Sequence, residues 1–195
     1  MVFDPSDLCI DDSQFDEQDW TTSEFSHVMG IEKLPSNMLQ PQGFAFTMVA
    51  KVDADHVLDI ITRQSCTGFI VYLNSAPIYW FSKKQTSTES SSFGLEFVAM
   101  KQCCKYLHSL CYKFCMIGIL INGPVHLFGD NQSVLANTTI PNSTLKKKSQ
   151  SIAYPFVHEG AAWGKWHTAY VNTNKNESDL LTKILPNGEK CQGFV

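Results

Sequence analysis

The sequence lacks long hydrophobic runs, paired cysteine motifs and a recognisable signal at its start. No segment approaches the roughly 18 consecutive apolar residues that a transmembrane helix needs. The opening residues, MVFDPSDLCIDDSQF, show neither the basic start nor the apolar stretch of a secretory signal. We therefore expect neither a membrane span nor a secreted protein.

Cysteine is present, but its spacing indicates no pairing. The seven cysteines form no CxxC motif and no Cys/His ligand spacing, and the adjacent Cys103 and Cys104 suit a disulfide framework poorly. A free cysteine behaves in a protein interior as a small hydrophobic residue. The pattern predicts free thiols in a reducing compartment, most of them in the core.

Basic residues are nearly missing from the first quarter of the chain. Residues 1–50 carry nine acids against one base, Lys33, whereas residues 51–195 carry fourteen bases against ten acids. The first forty or so residues also contain three prolines and show little periodicity, which predicts a solvated acidic connector. The remainder is mildly basic, which allows a polyanionic partner without requiring one.

No internal repeat or low-complexity block occurs, and 195 residues of which 44% are hydrophobic suffice for one domain with an appendage. Strand patterns occur in GFAFTMVAKVDAD, GFIVYLN, PIYWFSKK, PVHLFG and KWHTAYV. The short turn NSA joins the second and third of these, which predicts a hairpin. Helix patterns occur in SSFGLEFVAMKQCCKYLHSL, DNQSVLA, LKKKSQSIAYPFVHEGAAW and NESDLLTKIL. This order predicts a mixed sheet with helices packed on it.

Four acids lie at the ends of predicted strands or on predicted helices, where an acidic side chain requires an explanation. Asp53 and Asp130 end apolar strands, Glu96 lies on the apolar side of a helix, and Asp179 is in the first turn of the last helix. Singly, each has a structural explanation: Asp130 and Asp179 as helix caps, Glu96 as an exposed helix residue, Asp53 as a turn residue. Gathered together, they would repel one another and call for divalent cations. Carboxylates suit Mg²⁺, and two ions about 4 Å apart can hold the attacking water and the leaving oxygen of a phosphodiester.

Four segments show a further, more specific pattern. VDADHVLDIITRQSCTGFIVYLNSAPIYWFSKKQ contains an Asp-Ala-Asp opening, an Arg-x-Ser-x-x-Gly segment and a Pro-Ile-x-Trp-x-Ser-Lys-Lys-Gln strand. SSSFGLEFVAM, LFGDNQSV and NTNKNESDLLTKIL follow. Together they resemble the ribonuclease H domain that closes the Pol polyprotein of copia-type LTR retrotransposons, with its glutamate helix, Cys-Asp-Asn-Gln-Ser box and final Ala-Asp-x-Leu-Thr-Lys.

The resemblance implies an α/β, ribonuclease H-like fold: a mixed five-stranded sheet with helices on both faces over residues 44–188, an acidic arm at 1–43 and a tail at 189–195. It implies endonucleolytic hydrolysis of the RNA strand of RNA/DNA hybrids during reverse transcription, leaving 3′-hydroxyl and 5′-phosphate ends. The implied partners are the hybrid and the reverse transcriptase portion of the same polyprotein, in cytoplasmic virus-like particles or the nucleus. No Tyr-x-Asp-Asp polymerase motif is present in these residues.

The resemblance also assigns site residues by position. It implies that two Mg²⁺ ions, with Mn²⁺ as a possible substitute, are held by four catalytic carboxylates: Asp53, Glu96, Asp130 and Asp179. Asp55 is the rival of Asp53, since residues two apart share a strand face. Nucleic-acid contacts are expected from seven residues: Lys83, Lys84, Asn131, Gln132, Lys146, Lys147 and Lys148. For the lysines, a solvated basic face is the alternative explanation.

Three positions depart from the family pattern. Gly94 stands where a second glutamate is usual, and Ser149 replaces a histidine that assists product release, a role that His158 could supply. Pro155 falls inside a predicted helix, where proline costs about 3 kcal/mol. These departures leave a second hypothesis open: a decayed remnant that folds and at most binds nucleic acid. A DNA-strand transferase of the same fold is a third, which the matched motifs disfavour.

Overall fold

The structure is a computed structural model, and it describes residues 39, 43, 45–55, 64–86, 91–139 and 153–183. Nearly all of the predicted acidic arm, the whole predicted tail and the triplet Lys146, Lys147 and Lys148 lie outside these residues. The predicted domain boundaries therefore remain predictions. Within the described residues, no helix is both long enough and apolar enough to cross a membrane.

The first half of the sheet is an antiparallel meander. Strand β2 (Met48–Asp55) pairs with β3 (Cys66–Leu73), and β3 pairs with β4 (Ala76–Lys84) across a turn at Asn74 and Ser75. Asn74 has a φ of 53°, and its backbone and side chain both bond the backbone of Thr47. The predicted hairpin is therefore present, and its turn residue also fixes the start of β2.

The second half of the sheet is parallel. Strand β6 (Val125–Gly129) lies beside β2, and β7 (Trp166–Tyr170) lies beside β6, which gives the strand order β4-β3-β2-β6-β7. The mixed five-stranded sheet predicted from the sequence is confirmed. A separate parallel pair, β1 (Ala45–Phe46) with β5 (Leu120–Ile121), was not predicted, because two-residue strands leave no alternation to detect.

Helix α1 (Ser92–Met116) covers one face of the sheet. It begins at a Ser91 cap whose side chain accepts from the backbone N–H of Gly94, and its predicted apolar stripe packs into the core. Every described cysteine is a buried free thiol, as predicted: Cys66, Cys103, Cys104, Cys111 and Cys115. Most of them lie on this helix, where they fill space beneath the strands.

Strand β2 has one apolar face and one polar face. Its even-numbered residues, Met48 to Ala54, belong to the hydrophobic core under α1. Its odd-numbered residues include Lys51 and Asp53, which are buried on the opposite face. Period-two alternation therefore holds along β2, but both faces are covered, so the polar face needs polar partners.

The other helices within the described residues are α2 (Gln132–Thr139), α3 (Ala153–Ala162), a 3₁₀ turn (Thr173–Lys175) and α4 (Asp179–Thr182). Helix α3 is described from Ala153 onward, and Pro155 is the third of its described residues. Because the residues before Ala153 lie outside the described residues, the expected helix penalty at Pro155 remains a prediction.

Helix α4 packs on the polar face of the sheet at Gly68. A Cβ on Gly68 would lie 2.5 Å from Cγ2 of Thr182 and 2.9 Å from Cβ of Leu181. Gly68 also pairs with Asp53 across β2 and β3, so the glycine brings α4 directly beside that aspartate. Helices thus cover both faces of the sheet, as predicted.

We predict that Gly68→Ala lowers the free energy of unfolding by about 1–3 kcal/mol, because the added methyl group displaces α4. Urea denaturation of the 195-residue chain measures this. Gly129→Ala is the matched control in β6, where a Cβ would find ordinary contacts at 3.6 and 3.7 Å. It should change stability by less than about 1 kcal/mol. Equal stability of the two variants would contradict the close approach of α4.

Candidate active site

Three carboxylates from three elements converge at one end of the sheet. Asp53 comes from β2, Glu96 from the first turns of α1, and Asp130 directly follows β6. One oxygen of each lies within 4.8 Å of the others. Among the described residues, this is the one group of three or more His, Cys, Asp or Glu side chains close enough to share a metal ion.

The site forms where β2 and β6 stop pairing. Their ladder ends at Lys51 and Phe128, so the backbone of β2 beyond Lys51 needs other partners. Asn176 Nδ2 donates to the Val52 carbonyl at 3.1 Å, and Glu96 accepts from the Ala54 N–H. The open strand edge thereby fixes both the segment that leads to α4 and the carboxylate of Glu96.

Asp53 is the most deeply buried member of the three, with 1% of its surface exposed. Thr182 donates its hydroxyl to Asp53 Oδ2, and the ammonium of Lys183 lies 3.3 Å from the same oxygen. Burial raises the pKa of Asp53 to about 6, while Thr182 and Lys183 oppose that rise. Asp53 is thus held by two neighbours from α4 and its C-terminal end.

Glu96 shows the strongest electrostatic conflict. Burial, followed by the negative charges of Asp53 and Asp130, raises the pKa of Glu96 to about 9. A cation bound among the three would relieve this conflict, and carboxylate oxygens are the ligands that Mg²⁺ and Mn²⁺ prefer. The donor set therefore fits a hard divalent cation.

Asp130 is oriented from the opposite side. Thr173, in the 3₁₀ turn, donates its hydroxyl to Asp130 Oδ2 at 3.0 Å. The helix that follows is capped by Asn131, whose Oδ1 accepts from the N–H groups of Ser133 and Val134. The expectation that Asp130 caps α2 is therefore wrong, because its neighbour does so and leaves the Asp130 carboxylate at the site.

Asp179, the fourth predicted ligand, is linked to Asp53 through the ammonium of Lys183. Its Oδ1 lies 3.0 Å from Nζ of Lys183, which also contacts Asp53. It lies outside the group of three, although its charge is close enough to raise the pKa of Asp53. The expected capping role is not seen either, because α4 has no side-chain cap and Asp179 is its first residue. Asp179 as a metal ligand remains a prediction.

A partly buried ion pair anchors the segment before α4. Nζ of Lys51 lies 2.6 Å from Glu177 Oε2, which also accepts from the hydroxyl of Tyr72 at 3.0 Å. Next to it, Ser178 donates its hydroxyl to Asn176 Oδ1 at 2.6 Å. Since Lys51 and Asp53 share one strand face, this anchor sets where Asp179 and Lys183 sit relative to Asp53.

The other predicted residues are placed as follows. Asp55 is half-buried at the end of β2 and lies outside the carboxylate group. Lys83 and Lys84 are exposed at the end of the edge strand β4, and Gln132 is exposed at the start of α2. His158 stacks on Tyr154 and lines a cavity of about 420 Å³ that none of the four acids lines. Their roles toward nucleic acid remain predictions.

Several contributors to the site were not predicted, among them Lys51, Gly68, Thr182 and Lys183. Each of these four left a signal in the sequence. Lys51 continues the odd-numbered polar positions of β2, and Lys183 lies four residues after Asp179, the spacing of a helical ion pair. Gly68 is the glycine of the Arg-x-Ser-x-x-Gly segment and Thr182 lies in the final Asp-x-Leu-Thr-Lys motif, but their roles could not be predicted because they depend on how α4 packs across the sheet.

Comparison with known proteins places the chain among relatives. No protein-family model matches it. The retrovirus-related Pol polyproteins from transposons RE2 and RE1 of Arabidopsis thaliana are each 28% identical over 144 residues, or 74% of this chain and 10% of the relative. That from transposon TNT 1-94 of Nicotiana tabacum is 26% identical over 145 residues, 73% of this chain and 11% of the relative. The predicted resemblance is confirmed, and the chain spans about a tenth of the length of these relatives.

Solved structures show the same fold. LC11-RNase H1, isolated from compost by a metagenomic approach, is 11% identical with a TM-score of 0.54, covering 70% of this chain and 92% of that chain. The structure of LC11-RNase H1 in complex with an RNA/DNA hybrid is 11% identical with a TM-score of 0.55, and the match covers 70% of this chain and 94% of that chain. RNase H1 from the halophilic archaeon Halobacterium salinarum NRC-1 is 13% identical with a TM-score of 0.53, and the match covers 70% of this chain and 94% of that chain. The predicted ribonuclease H fold is confirmed.

We predict that the metal-free protein loses stability as pH rises. The folded-state pKa of Glu96, about 9, lies above its ordinary value of 4.5, so the folded protein keeps a proton that the unfolded chain releases. The free energy of unfolding should therefore fall between about pH 5 and about pH 9 in buffer with EDTA. Glu96→Gln should flatten this dependence and, near pH 8, be more stable than wild type by on the order of 1–2 kcal/mol.

Glu159→Gln is the matched control, because Glu159 is an exposed glutamate on α3. Its pH dependence should equal that of the wild type. A Glu96→Gln profile as steep as the wild-type profile would show that Glu96 is not the source of the loss.

Proposed function

We propose that this relative of retrotransposon Pol polyproteins is a ribonuclease H domain that hydrolyses the RNA strand of RNA/DNA hybrids with divalent metal ions. The observation that supports it most is the convergence of Asp53, Glu96 and Asp130 from separate elements of a ribonuclease H fold. Acids so close together are costly to bury unless they bind a cation. Their order along the chain is also the order that the family resemblance implies.

In this proposal, Asp53, Glu96 and Asp130 hold the cation that the reaction needs. A bound divalent ion would lower the pKa of a coordinated water and neutralise charge on the phosphate. The chain itself supplies rigid carboxylates, each fixed by a neighbour: Asp53 by the Thr182 hydroxyl, Glu96 by the Ala54 N–H and Asp130 by the Thr173 hydroxyl. This fixation is what precise placement of a metal ion requires.

The reaction is an in-line displacement at phosphorus. A water oxygen forms the new P–O bond and gives a proton to solvent, while the P–O3′ bond of the RNA breaks and the leaving 3′-oxygen takes a proton from solvent. The products carry a 3′-hydroxyl and a 5′-phosphate. Two divalent ions would suit this reaction best, since one can favour the attacking oxygen and the other the leaving oxygen. Asp53 would then be shared, and Asp179 would contribute on the side of the second ion.

The substrate class rests on the resemblance and on surface charge. LC11-RNase H1 has been solved in complex with an RNA/DNA hybrid, and its fold is that of this chain. Lys83 and Lys84 are exposed on β4 and suit phosphate contacts, which would make binding salt-dependent. We further propose that the domain works beside the reverse transcriptase portion of a polyprotein, within a virus-like particle or the nucleus; its match to a tenth of each Pol polyprotein supports the polyprotein setting alone.

We predict that Asp130→Asn lowers cleavage of a labelled RNA/DNA hybrid by at least about 100-fold with Mg²⁺, because the amide keeps the shape but loses the charge that binds metal. Mn²⁺ should support cleavage by the wild type as well. The assay follows RNA fragments on a gel, with single-stranded RNA and duplex DNA as substrates that should stay intact.

Asp55→Asn is the matched control, since Asp55 lies on the same strand but outside the carboxylate group. It should keep most of the activity. No cleavage by the wild type, or equal cleavage by wild type and Asp130→Asn, would contradict the proposal.

The second candidate is a remnant that binds nucleic acid without cutting it. The pairing of Asp179 with Lys183 favours it, because a ligand engaged by an ammonium is less available to a metal ion. Salt-dependent binding of the hybrid with no product at any Mg²⁺ or Mn²⁺ concentration would support this candidate instead.

A further inference from the structure

The ammonium of Lys183 lies between two carboxylates of the candidate site. Its Nζ is 3.0 Å from Asp179 Oδ1, and 3.3 and 3.5 Å from the two oxygens of Asp53. Asp53 therefore faces two neighbourhoods, with Glu96 and Asp130 in one and Lys183 and Asp179 in the other. In the contacts that the structure shows, Lys183 touches Asp53 and Asp179 but neither Glu96 nor Asp130.

The position of this ammonium is set by several contacts. Lys183 follows the last residue of α4, and its backbone N–H donates to the Asp179 carbonyl at 3.0 Å. The helix rests on Gly68, and its Thr182 hydroxyl is bonded to Asp53. The side chain of Lys183 is 30% exposed and those of its two partners are almost fully buried, so salt screens these pairs less than surface pairs.

A metal ion shared by Asp53 and Asp179 would meet this ammonium. An ion that ligates both carboxylates must lie between them, which is where Nζ already makes its contacts. A divalent ion and an ammonium about 4 Å apart repel each other, and the repulsion is larger in a protein site than in bulk water. The ion and the ion pairs of Lys183 therefore compete for the same place.

We propose that Lys183 is a positioning residue that limits the site to one tightly bound divalent ion, at Asp53, Glu96 and Asp130, and that a second ion binds at Asp179 only by displacing it. This inference rests on the proposed function. It assigns Asp179 a double role, as counter-ion of Lys183 and as ligand of the second ion.

Formal charge favours the same conclusion. When all are ionised, the four carboxylates and the ammonium carry three negative charges, so one divalent ion leaves one negative charge. A second ion would leave an excess of one positive charge. Without the ammonium, two divalent ions would neutralise the four carboxylates, so removal of the lysine charge should strengthen the second site.

The test counts bound Mn²⁺ without nucleic acid, by the loss of the electron paramagnetic resonance signal of free Mn²⁺ in a titration of the full chain. The wild type should bind one ion tightly and a second much more weakly. Lys183→Met should lower the Kd of the second ion by about tenfold or more. Lys183→Gln, which keeps a hydrogen-bond donor but no charge, should do the same, and Lys183→Arg should behave as the wild type.

Lys113→Met controls for loss of a positive charge elsewhere, since Lys113 is exposed in the last turn of α1. It should leave both dissociation constants unchanged. Any Mn²⁺ that the acidic first fifty residues bind weakly is common to all variants, so it does not affect the difference between them. Circular dichroism checks that each variant is folded. If Lys183→Met does not fold, the Kd of the second ion in Lys183→Gln tests the proposal instead.

Two failures are distinguishable. If the wild type binds one tight ion that Asp130→Asn abolishes, but neither Lys183→Met nor Lys183→Gln changes the second Kd, the role of Lys183 is overturned and the metal centre stands. If Asp130→Asn binds Mn²⁺ as the wild type does, the metal centre itself is overturned.

Discussion

The burial of the Asp53 carboxylate is the constraint on which the rest of the site depends. An acid with 1% exposure beside two other carboxylates is unfavourable unless positive charge or hydrogen-bond donors compensate it. The protein supplies a hydroxyl from Thr182 and an ammonium from Lys183, both at the C-terminal end of α4. These partners still leave the pKa of Asp53 raised to about 6, so the compensation is incomplete without a further cation.

Compensation at Asp53 explains why the second face of the sheet is polar. A helix packed on that face by apolar contacts alone could not bring a hydroxyl and an ammonium to the aspartate. The chain instead seats residues 172–183 through the Lys51 and Glu177 ion pair, the Asn176 bond to the Val52 carbonyl and close packing at Gly68. Buried polar contacts are directional, so they fix position better than apolar packing does. The apolar face under α1 provides stability, and the polar face provides placement.

Local patterns predicted much of the fold. The hairpin, the α1 stripe and the five main strands each show a periodicity that depends on neighbouring residues alone. The pairing of β1 with β5 and the seating of α4 on Gly68 depend on distant segments, which periodicity does not record. At the site, the order of Asp53, Glu96, Asp130 and Asp179 predicted which acids to examine. It did not predict that Asn131 caps α2 in place of Asp130, because both residue types cap helices well.

The four acids also show why a sequence order is not a geometry. Three of them form one group, while Asp179 faces Lys183 and reaches Asp53 through it. A single charged side chain, four residues along from Asp179, determines that difference. A motif match assigns all four the same role, whereas the contacts place the ammonium of Lys183 against Asp179 and Asp53 but not against Glu96 or Asp130.

Whether Asp53, Glu96 and Asp130 form a metal site is tested most directly by locating a bound divalent ion on the folded protein. Substoichiometric Mn²⁺ added to the ¹⁵N-labelled chain broadens the amide signals nearest to the bound ion. The signals of Ala54, Glu96 and Asp130 should broaden first, and Asp130→Asn should remove this effect. Broadening centred on the acidic first fifty residues, or spread evenly over the chain, would contradict the metal site.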